Sequence, residues 1–346
     1  MSTPMSTSST PMSTSSTPAG AMKRLNMILA IVLAVQIVLG LVVFWPRAAA
    51  TGGGGVLFPD LTADDVVALT VTDDQGASIA LRKAGAAWVL PAAGDYPADA
   101  AKITPLLDKL AQLDTRRLVT RTEASHGRLK VASGDYMRRV DFETAAGARY
   151  TVYLGSSPSY GTTHFRLEGQ NETYLTDVLS AWDVSAAPAS WVNATYFTLD
   201  QQTLTRVTLK NAHGTFVFTK DEQGNWTWTG LKASEQLAAS AVTALINNAT
   251  SVTLVKPLGK QEDAAYGMAA PLATVTLEAG DKTVTLLVGA QDPADKSYVV
   301  KVSESPYYVR VAEYNVQALV EDTRESFVQP PATPTPEVAP TPTSSD

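Results

Sequence analysis

The sequence contains no cysteine. That absence removes disulfides, thiolate metal sites, a cysteine nucleophile and a lipidated N-terminal cysteine from consideration. A domain of this length does not need cross-links, because its core is large enough to hold it. Histidine is nearly as scarce: His126, His164 and His213 are the whole set. No two of them stand at helical metal-ligand spacing, and no H-E-x-x-H segment occurs. Basic residues are outnumbered, 27 Lys+Arg against 34 Asp+Glu, for a formal net charge of -7. An acidic chain lacks the basic surface that a phosphate backbone requires, which argues against nucleic acid as the main partner.

One stretch lacks charge altogether. From Met27 to Trp45 the only polar side chain is Gln36. As a helix rising about 1.5 Å per residue, the stretch crosses a hydrocarbon core of roughly 30 Å. Lys23 and Arg24 stand at its front edge and Trp45 at its far edge. The basic pair is expected to stay in the cytoplasm, with everything after Trp45 outside. A cleaved signal peptide is the competing reading, with Ala48-Ala49-Ala50 as a small-residue cleavage site. Signal h-regions run about 7–15 residues, so the longer run favours an uncleaved anchor.

The chain divides around that run. Residues 1–21 repeat the phrases MSTP and MSTSSTP with no apolar period and read as a disordered tail. Met22, followed by Lys23 and Arg24, reads as an alternative start to Met1. The membrane helix spans 22–46 and a Gly-rich linker 47–56. Two folded units follow, 57–187 and 188–323, then a Pro/Thr-rich tail over 324–346 that is too poor in apolar residues to pack.

The two units repeat one pattern. At a constant offset, Leu61 falls on Leu199, Val66 on Leu204, Leu69 on Val207, Val71 on Leu209, Gly76 on Gly214, Ile79 on Val217 and Trp88 on Trp226. In the first copy Val66–Thr72 and Ser78–Arg82 read as a hairpin, followed by a short strand bearing Trp88. A helix over Asp99–Leu113 carries Ile103, Leu106, Leu107, Leu110 and Leu113 on one face. Pro105 either kinks it or marks its start. In the second copy the helix recurs at about Ser234–Ala249 with Ser234 as N-cap. Later strands recur too, and Tyr153-Leu154-Gly155 matches Leu287-Val288-Gly289. The expected fold is α+β: two tandem copies of a mainly antiparallel β unit with one packed helix, preceded by a single transmembrane helix.

With both copies in view, the chain resembles a bacterial family known as domain of unknown function 4340. The resemblance rests on the anchor, the strand–turn–strand–Trp pattern, the helix, and a Tyr-Gly-x-x-x-Pro segment, here Tyr266-Gly267 through Pro271. In the first copy His126-Gly127 stands where Tyr-Gly is expected, and no proline follows. Members of this family are often encoded beside ABC-type transporter components similar to gliding-motility auxiliary proteins. The resemblance therefore implies a transporter-like partner, and it brings no catalytic residues with it.

The residues themselves offer little chemistry. His164, Arg166 and Glu168 alternate along one strand and read as a solvated face, with anion binding as the alternative. His213 belongs to a turn, the Gly155–Gly161 stretch is a hairpin loop, and the aspartates at 73, 74, 292 and 295 sit where turns collect them. No catalytic, cofactor-binding or metal-binding residue is assigned. Trp88, Trp226, Tyr266 and Gly267 are given structural roles, with both indoles buried at equivalent places. A basic stretch, Arg116, Arg117, Arg121, Arg128, Lys130, Arg138 and Arg139, reads as a solvated face or as a contact for anionic lipid or an acidic partner. The expected function is a membrane-anchored extracytoplasmic accessory protein, non-catalytic, that binds a partner such as an ABC-type transporter. The alternatives are an extracytoplasmic enzyme acting on an envelope polymer and a structural or sensor domain.

Overall fold

A computed structural model describes residues 54–330. The expected N-terminal tail, the membrane run and most of the linker lie outside the described residues, as does the Pro/Thr-rich tail beyond Pro330. Among the described residues no helix is long and apolar enough to cross a membrane.

The fold is mostly antiparallel β-sheet with a few helices. Strand β1 (Val66–Asp73) turns into β2 (Ser78–Ala84) and then β3 (Ala87–Leu90) and β4 (Tyr96–Pro97). The first turn is dictated locally: the Asp73 carboxylate accepts from the N–H of Gln75 and of Ala77, and Gly76 takes the positive φ of 83°. Helix α1 (Ala100–Ala111) begins at Asp99, whose side chain accepts from the Ala101 N–H. Pro105 lies inside this helix on its exposed side, so Thr104 is not the start. Water can take up the carbonyl that a proline leaves unpaired there. Beyond the helix come β5 (Leu118–Thr120), the short helix α2 (His126–Leu129) and the small β6 (Val131–Ala132) and β7 (Asp135–Tyr136) pair. The first half closes with β8 (Arg138–Thr144), β9 (Arg149–Leu154), β10 (Thr163–Leu167) and β11 (Thr173–Thr176).

The second half supplies β12 (Thr195–Thr198), β13 (Arg206–Asn211), β14 (Gly214–Lys220), β15 (Trp226–Trp228), α3 (Ala239–Thr250) and β16 (Ser251–Gly259). It continues with β17 (Ala273–Ala279), β18 (Lys282–Gln291), β19 (Tyr298–Val302), β20 (Tyr308–Val311) and α4 (Glu313–Glu321). Helix α3 starts after Ala238, later than Ser234, and has no side-chain cap. The residues expected in its first turn are used elsewhere: Glu235 binds Arg324, and Leu237 bridges to Val328.

Two nine-stranded sheets result. One runs β4-β3-β2-β1-β8-β9-β10-β11-β5 and the other β12-β16-β20-β19-β18-β17-β13-β14-β15. Read inward from β3 and from β15, eight strands follow the same order of connection in both: a three-strand meander, a helix crossing to the far edge, then a return beside the first strand. Alternation carries the burial, as Val207, Leu209, Val275, Leu277, Val284 and Leu286 point inward and are fully enclosed. From Gly55 the described residues form one unit, and one apolar core runs through both halves.

The folded part also reaches further than the sequence pattern indicates. The second unit does not close at 323, because Phe327 is fully buried against Phe216, Phe218 and Trp228. An isolated Phe followed by prolines gives no periodic signal, which is why the pattern ended early.

Candidate functional site

Five of the seven residues of the basic stretch are paired with acids. Asp114 takes both the backbone N–H and the guanidinium of Arg116, and this contact holds the Asp114 carboxyl below its usual range. Arg117 faces Asp177 at 3.6 Å, Lys130 meets Asp135 at 2.8 Å, and Arg139 meets Asp141 at 2.9 Å. Arg138 is mostly enclosed: its Nε donates to the Val184 carbonyl and its Nη1 lies 3.4 Å from Asp74. That side chain fastens β8 to the segment leading into the second half. Arg121 and Arg128 are exposed and form no salt bridge among the described residues.

The stretch is also not one surface. Arg138 and Arg139 lie on β8, whereas Arg116, Arg117 and Arg121 flank β5 at the end of the sheet. Four strand spacings separate them, about 19 Å. What the structure does bring together at β5 is an exposed apolar pair inside a basic frame. Leu118 and Val119 are 40% and 43% exposed, and no strand lies on the outer side of β5. In the sequence this edge shows only as an apolar pair set among arginines.

The histidine and arginine on β10 are not on a solvated face. His164, Arg166 and the nearby His126 are all buried, because α2 and the β6–β7 hairpin lie over that face. The Nδ1–H of His164 donates to the Ser156 carbonyl, and burial lowers its pKa, favouring the neutral ring. Its Nδ1 is also 3.2 Å from the Ser156 hydroxyl. A nitrogen already donating its proton to a carbonyl cannot take one from a serine, so this pair is not a nucleophile and base. His126 Nε2–H donates to the Asn171 carbonyl. Arg166 donates to the Val131, Leu167 and Gln170 carbonyls and stacks on Tyr153. These groups are spent on backbone, which makes the cluster a structural tie.

Glycines explain the match between Gly155 and Gly289. A Cβ on Gly155 would lie 2.2 Å from the Leu129 carbonyl oxygen, and one on Gly289 would lie 2.1 Å from that of Tyr266. In each half a segment crosses the strand so closely that only glycine fits below it. The crossing segments turn alike: Lys130 has φ 58° and Gly267 φ 68°, each closing a short helix. The counterpart of Tyr266-Gly267 is therefore Leu129-Lys130, and not His126-Gly127 as the sequence pattern indicates. A non-glycine residue at the left-handed position hid the correspondence.

The tryptophans are equivalent in register but not in burial. Trp88 pairs with Lys83 and Trp226 with Lys220, and each lysine ammonium sits over its indole, at 5.5 and 5.3 Å. Each lysine also reaches down to a short 3-10 helix, Lys83 to the Asp64 carbonyl and Lys220 to that of Gln201. Trp88 is buried, whereas Trp226 is only half-buried. In the second half it is Trp228, two residues on, that fills the aromatic core.

An open cleft of about 380 Å³ is lined in part by Phe58, Leu61, Asp65, Tyr150, Leu167 and Gln170. The Asp65 carboxyl is held below its usual range by the Thr62 hydroxyl and N–H, so it caps its own turn. Among the described residues no group of three His, Asp or Glu is placed to hold a metal ion.

The described residues form a mainly antiparallel α+β fold. Residues 88–248 match the family model described as Domain of unknown function (DUF4340), and over that span the chain resembles this family. The match begins at Trp88 in β3 and ends in α3, so it takes in parts of both sheets. No curated protein and no solved structure matches the chain.

Proposed function

We propose that this is a membrane-anchored extracytoplasmic accessory protein that binds a partner, such as ABC-type transporter components, and performs no reaction of its own. The observation that carries the reading is the uncharged run from Met27 to Trp45, preceded by Lys23 and Arg24 and joined by a short linker to a two-sheet body. The family resemblance supports the partner. The common strand order supports a further reading, that the two halves are copies of one ancestral unit.

Two measurements test this. Protease added to intact spheroplasts should digest the sheets and spare the N-terminal tail; a soluble mature protein beginning near Thr51 would remove the anchor. Cross-linking in intact membranes should recover an integral membrane partner, and its absence would remove the accessory role.

A further inference from the structure

The two sheets end differently at the same place. Register aligns them: Thr173 of β11 pairs with Thr120 of β5, and Tyr308 of β20 pairs with Gly259 of β16. One step on, Tyr174 pairs with Leu118, and Val309 pairs with Pro257. Leu118 thus holds the position that proline holds in the second sheet.

The position matters because of where its N–H points. The Leu175 N–H donates to the Arg117 carbonyl, so the groups flanking Leu118 face inward. In an antiparallel ladder, the N–H and C=O of Leu118 itself then face outward. At the equivalent outward site, Pro257 has no donor to offer, a known way of blunting a sheet edge. The second sheet is covered there as well. The Ala93–Gly94 turn lies on Gly259, so closely that a Cβ on Gly94 would sit 3.1 Å from the Lys260 nitrogen. The Tyr307 hydroxyl donates to the Asp95 carbonyl to hold that cover. The β5 edge has its donor, two exposed apolar side chains, and neither proline nor cover among the described residues.

We infer that β5 is a docking edge that accepts an extended acidic segment of a partner protein as an added strand. This rests on the partner-binding role proposed above and specifies its surface and chemistry. The acidic character follows from local charge. Of the five cations between Asp114 and Lys130, three are paired with Asp114, Asp177 and Asp135, and Arg121 and Arg128 stand exposed without a salt bridge among the described residues, against one further carboxylate, Glu123. Backbone pairing supplies affinity, and alternate side chains meeting Leu118, Val119 and the arginines supply selectivity. A second copy is a poorer occupant, because pairing two β5 strands would set Arg116, Arg117 and Arg121 of one copy against those of the other.

The test uses the full chain in detergent and a fluorescent heptapeptide alternating glutamate and valine, with a lysine–valine peptide as control. Anisotropy should show saturable binding of the acidic peptide alone. Leu118→Pro should weaken it at least tenfold, and the proline already present at the equivalent site favours a folded variant. Arg121→Glu, on an exposed side chain, should weaken it by a similar factor with unchanged melting. No binding by the acidic peptide, equal binding of both peptides, or equal binding by the Leu118→Pro chain would overturn the assignment. A dimer in sedimentation that Leu118→Pro dissociates would also overturn it, in favour of a second copy. In membranes, cross-linked partner recovered by the wild type and lost with Leu118→Pro supports β5. Recovery unchanged by that variant would overturn β5 while leaving partner binding standing; no partner from the wild type would instead sink the proposed function.

Discussion

In the second half the strand after the helix runs from Ser251 to Gly259; in the first half the corresponding strand runs only from Leu118 to Thr120. The long strand is paired on one side by β20 and, over its first residues, by β12 on the other. In the first half Val56 bridges to Asp114 where β12 would lie, and β5 beyond it has no outer strand. One strand order therefore serves two purposes. The edge in the second half is closed against the first half, and the edge in the first half stands open. The difference shows that the fold needs the strand but not the exposure of its edge.

Substitutions at the tryptophans test how far the halves correspond, and they carry the largest expected effect. Trp88→Ala and Trp228→Ala should each cost about 3–5 kcal/mol in urea denaturation, the range for a buried aromatic. Trp226→Ala should cost less than half as much, because Trp226 is only partly buried and lies beneath Lys220 at the surface. Equal losses at Trp88 and Trp226, with little at Trp228, would restore the simple correspondence of sequence.

The crossing glycines should behave alike. Gly155→Ala and Gly289→Ala each push a methyl into a backbone carbonyl, and a loss of about 3 kcal/mol is expected from such overpacking. A large effect at one and none at the other, by the same denaturation, would mean that only one half needs the crossing.

Acid should separate the halves as well. Arg324 grips Glu235, and its hydrogen bond, aided by the Lys232 N–H, lowers the Glu235 pKa from 4.5 to about 2. A carboxyl depressed on folding adds stability above its unfolded pKa and loses it as pH falls through the folded value. Glu235→Gln should therefore be less stable than the wild type near neutrality, and the two chains should converge as the pH falls from 4.5 to about 2. A gap that persists to pH 2 would assign the effect to packing.

The smallest effect is expected from charge. Arg116→Ala removes a pair with Asp114 and Arg117→Ala one with Asp177, and each should lower stability only slightly, because exposed pairs are screened by solvent. Arg121→Ala should leave stability unchanged. A larger loss at Arg121, measured by thermal melting, would mean that it holds the fold and is not free to bind.

Much of the strand placement was legible in the sequence, because β8 and β17 alternate apolar and polar residues over five or more positions and β1, β9 and β18 over four. Strand β16 was not, since Lys256, Pro257 and Gly259 break its pattern although backbone pairing keeps it in the sheet. The helix start at Ala239 was obscured by Ser234, a good cap that tertiary contacts of Glu235 and Leu237 leave unused. Burial of His164 and Arg166 was invisible for a different reason. The cover comes from residues 126–136, and nothing local to β10 announces it.

The place where the chain enters the fold sets a geometric limit. Gly55 accepts from both the N–H and the hydroxyl of Thr115, so the entering chain is fastened beside β5. Between Trp45 and that point the backbone can span at most about 35 Å when fully stretched. Under the proposed anchoring, the open edge is leashed to the bilayer within that radius. Only a segment presented close to the membrane surface can meet it, and such a segment meets it at the high local concentration that tethering creates.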